Sequence, residues 1–135
     1  MLVVDFGGGT LDLSLASSLP DNLIEIIKTD GDTMLGGHDV TNAIAWDLAH
    51  KWAADPENKD YNLSAEALMS NQKNRSKLTY QAESIKKQIN APNASSADVE
   101  IVGLGDAAAE WNIEYRYNDF VKVLFDFACF RSVLI

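Results

Sequence analysis

The sequence is poor in the residues that cross-link or anchor a chain. It has a single cysteine, Cys129. No internal disulfide can form, and a reducing compartment such as the cytoplasm fits best. Long apolar runs are missing as well: nothing approaches the roughly 20 consecutive apolar residues that span a bilayer, so no membrane association is expected. Met1 is followed directly by Leu2-Val3-Val4, with neither a basic segment nor a small-residue cleavage site, and no signal peptide is expected. Basic charge is scarce, with 11 Lys and Arg against 20 Asp and Glu, a formal net charge of −9. That balance repels nucleic acid and anionic surfaces. The densest basic clusters, Lys73-Arg75-Lys77 and Lys86-Lys87, lack the interleaved aromatics of a single-strand binder, so nucleic acid is not an expected partner.

What is present is the balance of an ordinary globular protein: 135 residues, 47% hydrophobic and 23% charged. This allows one domain with a real core but not two large ones. Leu2 to Phe6 is an apolar run interrupted only by Asp5, typical of a strand buried on both faces. After Gly7-Gly8-Gly9, Leu11, Leu13 and Leu15 alternate with Thr10, Asp12 and Ser14, which predicts a second strand. Pro20-Asp21-Asn22 reads as a turn and Leu23 to Lys28 as a third strand. The short links favour an antiparallel meander. Gly31 to Gly37 reads as a loop.

Asp39 is placed to N-cap a helix reaching Ala54, with Val40, Ile44, Leu48 and Trp52 along one face. Asp55-Pro56-Glu57-Asn58 stops it, and a polar linker runs to Asn62. A second helical region, opened by Ser64 and interrupted near Ser70-Asn71, extends to Asn90. Val99 to Leu104 and Trp111 to Tyr117 predict a hairpin, the second strand alternating Trp111, Ile113, Tyr115 and Tyr117. Asn118 or Asp119 is placed to cap a last helix through Phe120, Leu124 and Phe127.

The most specific feature is Asp5-Phe6-Gly7-Gly8-Gly9-Thr10-Leu11-Asp12. Glycines permit positive φ and let backbone N–H groups approach a phosphate without Cβ clashes. Thr10 can hydrogen-bond a phosphate or an attacking water, and Asp5 at the strand end can hold Mg²⁺ through its waters. The segment is not a Walker A loop, because G-x-x-x-x-G-K-[ST] is absent. Three glycines alone fit a ligand-free hairpin turn equally well. The flanking Asp5, Thr10 and Asp12 favour phosphate. Farther on, at about 100° per residue, Glu83, Lys86, Lys87 and Asn90 share a polar arc, while Leu78, Ala82, Ile85 and Ile89 form a separate apolar seam. Taken alone, the polar ridge reads as a solvated face with an ion pair worth at most a few tenths of about 1 kcal/mol.

Three segments carry a family resemblance. Asp5 to Asp12, with Leu13-Ser14, resembles the second phosphate motif of DnaK-type 70-kilodalton heat-shock chaperones. Gly31-Asp32-Thr33-Met34-Leu35-Gly36-Gly37-His38-Asp39 resembles the family's loop between lobes IIA and IIB. Ala82-Glu83-Ser84-Ile85-Lys86-Lys87 is similar to its adenosine-contacting helix. Order and spacing agree, and the likeness runs from residue 2 to about 132.

The resemblance implies an α/β piece of the ribonuclease H-like, actin-like ATPase fold. Residues 1–30 would be the antiparallel start of lobe IIA with the phosphate turn, 31–117 a mixed helix-and-hairpin lobe IIB, and 118–135 a truncated return helix of lobe IIA. It implies ATP or ADP with Mg²⁺ as cofactors of the intact parent, held weakly or not at all by this piece alone. Asp5, Thr10 and Asp12 would be the catalytic residues, Gly7, Gly8, Gly9 and Thr10 the phosphate cradle, and Asp5 the metal-binding residue. Glu83 and Lys86 match the ribose-contacting pair. Lys87 stands where the family has a base-stacking arginine, and an ammonium has no planar surface to stack on adenine. Asn90 stands where a serine lies near the base.

Partners implied are unfolded polypeptide, a nucleotide-exchange factor and a J-domain co-chaperone. In the family ATP lies between two lobes, and phosphoryl transfer needs charge neutralisation from both sides. The matched region is half of that cleft, so no turnover is expected from it alone. Two alternatives are a non-catalytic module for exchange factors, and an actin-like or sugar-kinase ATPase. The Gly31–Asp39 loop and the Glu83/Lys86 helix favour the chaperone branch over the latter.

His38 stands where the family usually has glutamate. Without partners at ligand spacing it reads as a surface histidine, as does His50. Cys129 reads as a small buried residue rather than a nucleophile. Trp46 and Trp52 are expected to pack the first helix. Tyr117 and Asp119 replace basic residues of the family, which is expected to alter the start of the last helix. Apolar surface at Phe125, Phe127, Phe130 and Leu134 is expected to promote self-association.

Overall fold

The computed structural model describes residues 1–106 and 110–132. The chain divides into two compact units, Met1–Val40 and Thr41–Ile135. Leu134 lies outside the described residues, as do the side chains of Cys129 and Phe130.

In the first unit, β1 (Leu2–Phe6), β2 (Leu11–Ser18) and β3 (Ile24–Asp32) form an antiparallel meander. The register pairs Val4 with Leu13, Asp5 with Asp12 and Phe6 with Leu11. The β2–β3 register shifts between Leu15 and Ala16, where Ile27 of β3 is the extra residue of a bulge. Asp21 and Asn22 take left-handed φ of 64° and 59° in the β2–β3 turn. Asparagine and aspartate tolerate that region through local side-chain bonding.

Two expectations need correction. Gly31 and Asp32 continue β3, opposite Asp12 and Leu11, so the loop begins only after them. The apolar run of β1 is also not buried on both faces: Leu2 is 63% and Val4 58% exposed. An apolar run indicates what a strand could bury, whereas burial needs a second layer, and three strands with the first turn of a helix make no such layer.

The second unit is built around α1 (Gly37–Ala54), α2 (Ala65–Ser70), α3 (Gln72–Ile89), β4 (Ser96–Val102), β5 (Glu110–Arg116) and α4 (Tyr117–Ser132). Its core takes Ile44, Leu48 and Trp52 from α1, and Leu78, Ala82, Ile85 and Ile89 from α3. Val99, Ile101, Trp111 and Tyr115 come from the hairpin, and Phe120 from α4. The apolar stripes read from the sequence are therefore the buried seams, except that Val40 is only partly buried. Ala97, Val99 and Ile101 alternate with exposed Asp98, Glu100 and Val102, giving β4 a period of two.

Asn71 ends α2 and opens α3 at once, its Oδ1 accepting from Lys73 N at 3.0 Å and Asn74 N at 3.2 Å. The hairpin starts earlier than expected, at Ser96, and Tyr117 belongs to α4, half exposed, rather than to the alternation of β5. The two aspartates read as N-caps sit one turn inside their helices. Asp39 Oδ2 accepts from Gly36 N at 2.8 Å, and Asp119 Oδ2 from Arg116 N at 3.4 Å. Each reaches back three residues, the carboxylate half of a capping box, which adds a negative charge to the first turn. Phe125 is 67% exposed and Phe127 half-buried. Among the described residues, no helix is long and apolar enough to cross a membrane.

Candidate functional site

Phe6 and Leu11 form the last pair of the β1–β2 ladder, so Gly7 to Thr10 close the hairpin. Gly7 N donates to Thr10 O at 2.8 Å. The first turn of α1 secures this loop from the side. Gly37 N donates to Gly7 O at 2.9 Å and His38 N to Gly8 O at 2.8 Å. These N–H groups are among those a helix start cannot satisfy within itself. Here the glycine carbonyls take them, while no hydrogen bond among the described residues engages the N–H groups of Gly8 and Gly9.

The positive φ expected of these glycines is not what they adopt. None of Gly7, Gly8 and Gly9 adopts left-handed φ. At Gly8 and Gly36 the constraint is contact, whereas a Cβ on Gly9 would have nothing within 4 Å. A Cβ on Gly8 would meet His38 Cε1 at 3.0 Å, and a Cβ on Gly36 would fall onto the backbone of Gly8 and Gly9. Gly36 is thus the platform beneath the turn. His38 remains exposed, as expected, but its ring lies against Gly8, a contact between residues 30 positions apart that no local pattern reveals.

Asp5 and Asp12 are direct cross-strand partners, and Thr10 Oγ1 donates to Asp12 Oδ2 at 3.3 Å. Like charges opposite each other on one face of a ladder repel. The described residues hold no group of three or more His, Cys, Asp or Glu suited to direct metal ligation.

The polar ridge of α3 is tightly organised. Lys86 Nζ lies 2.7 Å from Glu83 Oε2, and Lys87 Nζ lies 3.5 Å from Glu83 Oε1. Thr41 of α1 donates through Oγ1 to Glu83 Oε2 at 2.8 Å and accepts from Lys86 Nζ at 2.8 Å. The hydrogen bonds from Lys86 and then Thr41 hold the Glu83 carboxyl at about 2, against an ordinary value of 4.5. Lys87 is mostly exposed. Asn90 caps the end of α3, its Nδ2 donating to Lys86 O at 2.6 Å.

Thr41 escaped the sequence reading. The signal was its place on the same helical face as Ile44, Ala45 and Leu48, where a threonine, 3% exposed, requires a partner for its hydroxyl. His50 is exposed, beside Trp46 at a ring separation of 6.1 Å. Trp52 packs the core as expected, whereas Trp46 is 40% exposed.

The family model described as Hsp70 protein matches residues 1–128. A heat shock cognate HSP70 protein of Trypanosoma brucei brucei is 36% identical over 104 residues, covering 77% of this chain and 14% of the relative. The heat shock cognate 70 kDa protein 3 of Dictyostelium discoideum is 34% identical over 106 residues, 78% of this chain and 15% of the relative. The chaperone protein dnaK1 of Prochlorococcus marinus is 29% identical over 105 residues, 78% of this chain and 14% of the relative. The chain therefore spans well under a quarter of the length of these curated relatives. With its mixed α/β content, its small antiparallel sheets and a family match over nearly its full length, this chain belongs to the Hsp70 family.

Proposed function

We propose that this chain forms one wall of the nucleotide site of an ATP-dependent chaperone. Gly7, Gly8, Gly9 and Thr10 would cradle phosphate, Glu83 and Lys86 would contact the ribose, and Lys87 and Asn90 would lie near the base. Residues 1–30 would be the start of lobe IIA, 31–117 lobe IIB, and 118–135 the return helix. The supporting observation is the glycine turn, whose carbonyls are tied back to α1 while the N–H groups of Gly8 and Gly9 lack protein acceptors among the described residues. Such a loop offers preorganised donors to an anion at no cost of reorganisation.

Mg²⁺ would be held by Asp5 through its waters, and supplies charge neutralisation at the phosphates, with Asp5, Thr10 and Asp12 as the catalytic residues. Thr10, bonded to Asp12, is placed to orient a phosphate oxygen or a water. Transfer itself needs groups on the opposite side of the nucleotide, so the chain alone would bind without turnover. Unfolded polypeptide, an exchange factor and a J-domain co-chaperone would be partners of a complete chaperone, acting in the cytoplasm.

Calorimetry with ADP and Mg²⁺, beside a steady-state phosphate-release assay, tests the reading. Binding without release is expected. A folded chain that binds no nucleotide would refute it, and turnover would refute the one-wall account.

A further inference from the structure

An i, i+3 carboxylate–ammonium pair on a helix surface is normally loose. Two long side chains give up rotamer freedom for little Coulomb energy in water. Glu83 and Lys86 depart from that pattern because a third group, 42 and 45 residues away, closes them into a ring. Thr41 is 3% exposed, while the side chains of Glu83 and Lys86 are 36% and 22% exposed. The hydroxyl is therefore fixed in the core and the charges point outward from it.

Its stereochemistry suits an anchor. Threonine is β-branched and stiff at χ1, and its single O–H donor goes to Glu83 Oε2 while a lone pair accepts from Lys86. All three edges of the triangle are short, at 2.8, 2.8 and 2.7 Å. Glu83 Oε1 stays outside it, with Lys87 at 3.5 Å. A carboxylate oxygen and an ammonium held at fixed separation can together accept from and donate to a pair of adjacent hydroxyls. A mobile pair would first have to be ordered by the ligand, at a cost in side-chain rotamer freedom.

We propose that Thr41 is a positioning residue for ribose recognition: by clamping Glu83 and Lys86 from the buried face of α1, it presets the pair for the vicinal 2′- and 3′-hydroxyls of a nucleoside diphosphate. This rests on the reading of the chain as a nucleotide-site wall. Thr41 touches no ligand in it and acts only through the two side chains it holds.

The test compares ADP with 2′,3′-dideoxy-ADP, both with Mg²⁺, on the full 135-residue chain by calorimetry. The wild type should prefer ADP. Thr41→Val keeps the shape of the side chain and removes the hydroxyl. It should lower ADP affinity about 10-fold, corresponding to about 1.4 kcal/mol, and leave dideoxy-ADP unchanged, while Thr41→Ser restores the preference. A generally damaged structure would weaken both nucleotides alike, so equal losses overturn the positioning role. An unchanged preference in Thr41→Val overturns it too. Thr41→Ala is the second removal if the valine variant does not fold. A wild type with no preference, or with no binding, overturns the ribose reading itself and the positioning role with it.

Discussion

The indole N–H of Trp111 in β5 donates to Asp55 Oδ2, just beyond the end of α1, at 2.9 Å across 56 residues of sequence. The other oxygen of Asp55 accepts from Glu57 N at 3.0 Å and starts the 3-10 turn at Pro56. One carboxylate thus caps a turn and satisfies a core tryptophan. Replacing Asp55 by Ala removes an N-cap and leaves a buried donor without its acceptor, at an expected cost of about 2–3 kcal/mol. Asp55→Asn should recover about half of that. Urea unfolding followed by tryptophan fluorescence measures both, and a loss below about 0.5 kcal/mol for Asp55→Ala would contradict the linkage.

Gly36 and Gly9 are expected to respond oppositely to alanine. At Gly36 the added methyl falls on the backbone of the turn, so overpacking should cost about 1–3 kcal/mol and move the amide resonances of Gly8 and Gly9. At Gly9 nothing lies within 4 Å of the added Cβ and φ is not left-handed. Gly9→Ala should melt within about 0.5 kcal/mol of the wild type, so any loss of nucleotide affinity would be local. Equal stability losses at the two positions would refute the platform role of Gly36.

The Glu83 carboxyl, held at about 2 by Lys86 and Thr41, gives a signed pH dependence. Its pKa is depressed on folding, so its contribution is complete above the ordinary value of 4.5 and disappears as pH falls through about 2. The carboxyl resonance of Glu83 should titrate near 2, and Glu83→Gln should remove this component of acid destabilisation. A midpoint near 4.5 would show that the triangle does not persist in solution.

The free edge of β4 is covered by side chains in place of a strand. Lys77 Nζ donates to Val102 O at 2.6 Å and Gly103 O at 2.9 Å, and Gln81 Nε2 to Glu100 O at 2.6 Å. Exposed edges recruit other strands, and this one has its carbonyls occupied by α3. The double change Lys77→Met and Gln81→Met should cost about 1–2 kcal/mol and raise concentration-dependent light scattering. Scattering and stability both unchanged would mean the capping is incidental.

Periodicity alone located the buried faces of α1 and α3, since a helix that buries one stripe must repeat its apolar residues near 3.6. The break at Ser70-Asn71 was legible from residue type, because asparagine competes for the backbone there. Helix starts were less legible: Asp39 and Asp119 read as caps, yet both sit three residues inside the bond they make. Aspartate serves at either position, and only the preceding backbone decides which. The turn at Gly7–Gly9 was visible as a motif, but its support by Gly36 depends on contacts between segments far apart in sequence. Thr41 was hidden for the same reason, since its partners lie more than 40 residues away.

Asn71 has a consequence for how this chain can vary in length. Because one residue ends α2 and caps α3, no slack separates the helices. An insertion or deletion between Asn71 and Glu83 would turn every later side chain of α3 by about 100° around the helix axis. Ile85 and Ile89 would leave the core, and Glu83 would lose sight of Thr41. Duplicating Ser70 ahead of the cap would leave the phase of α3 intact relative to Asn71. Tolerance to insertion should therefore change abruptly at this single asparagine, which makes it a natural ruler for the ridge 12 residues downstream.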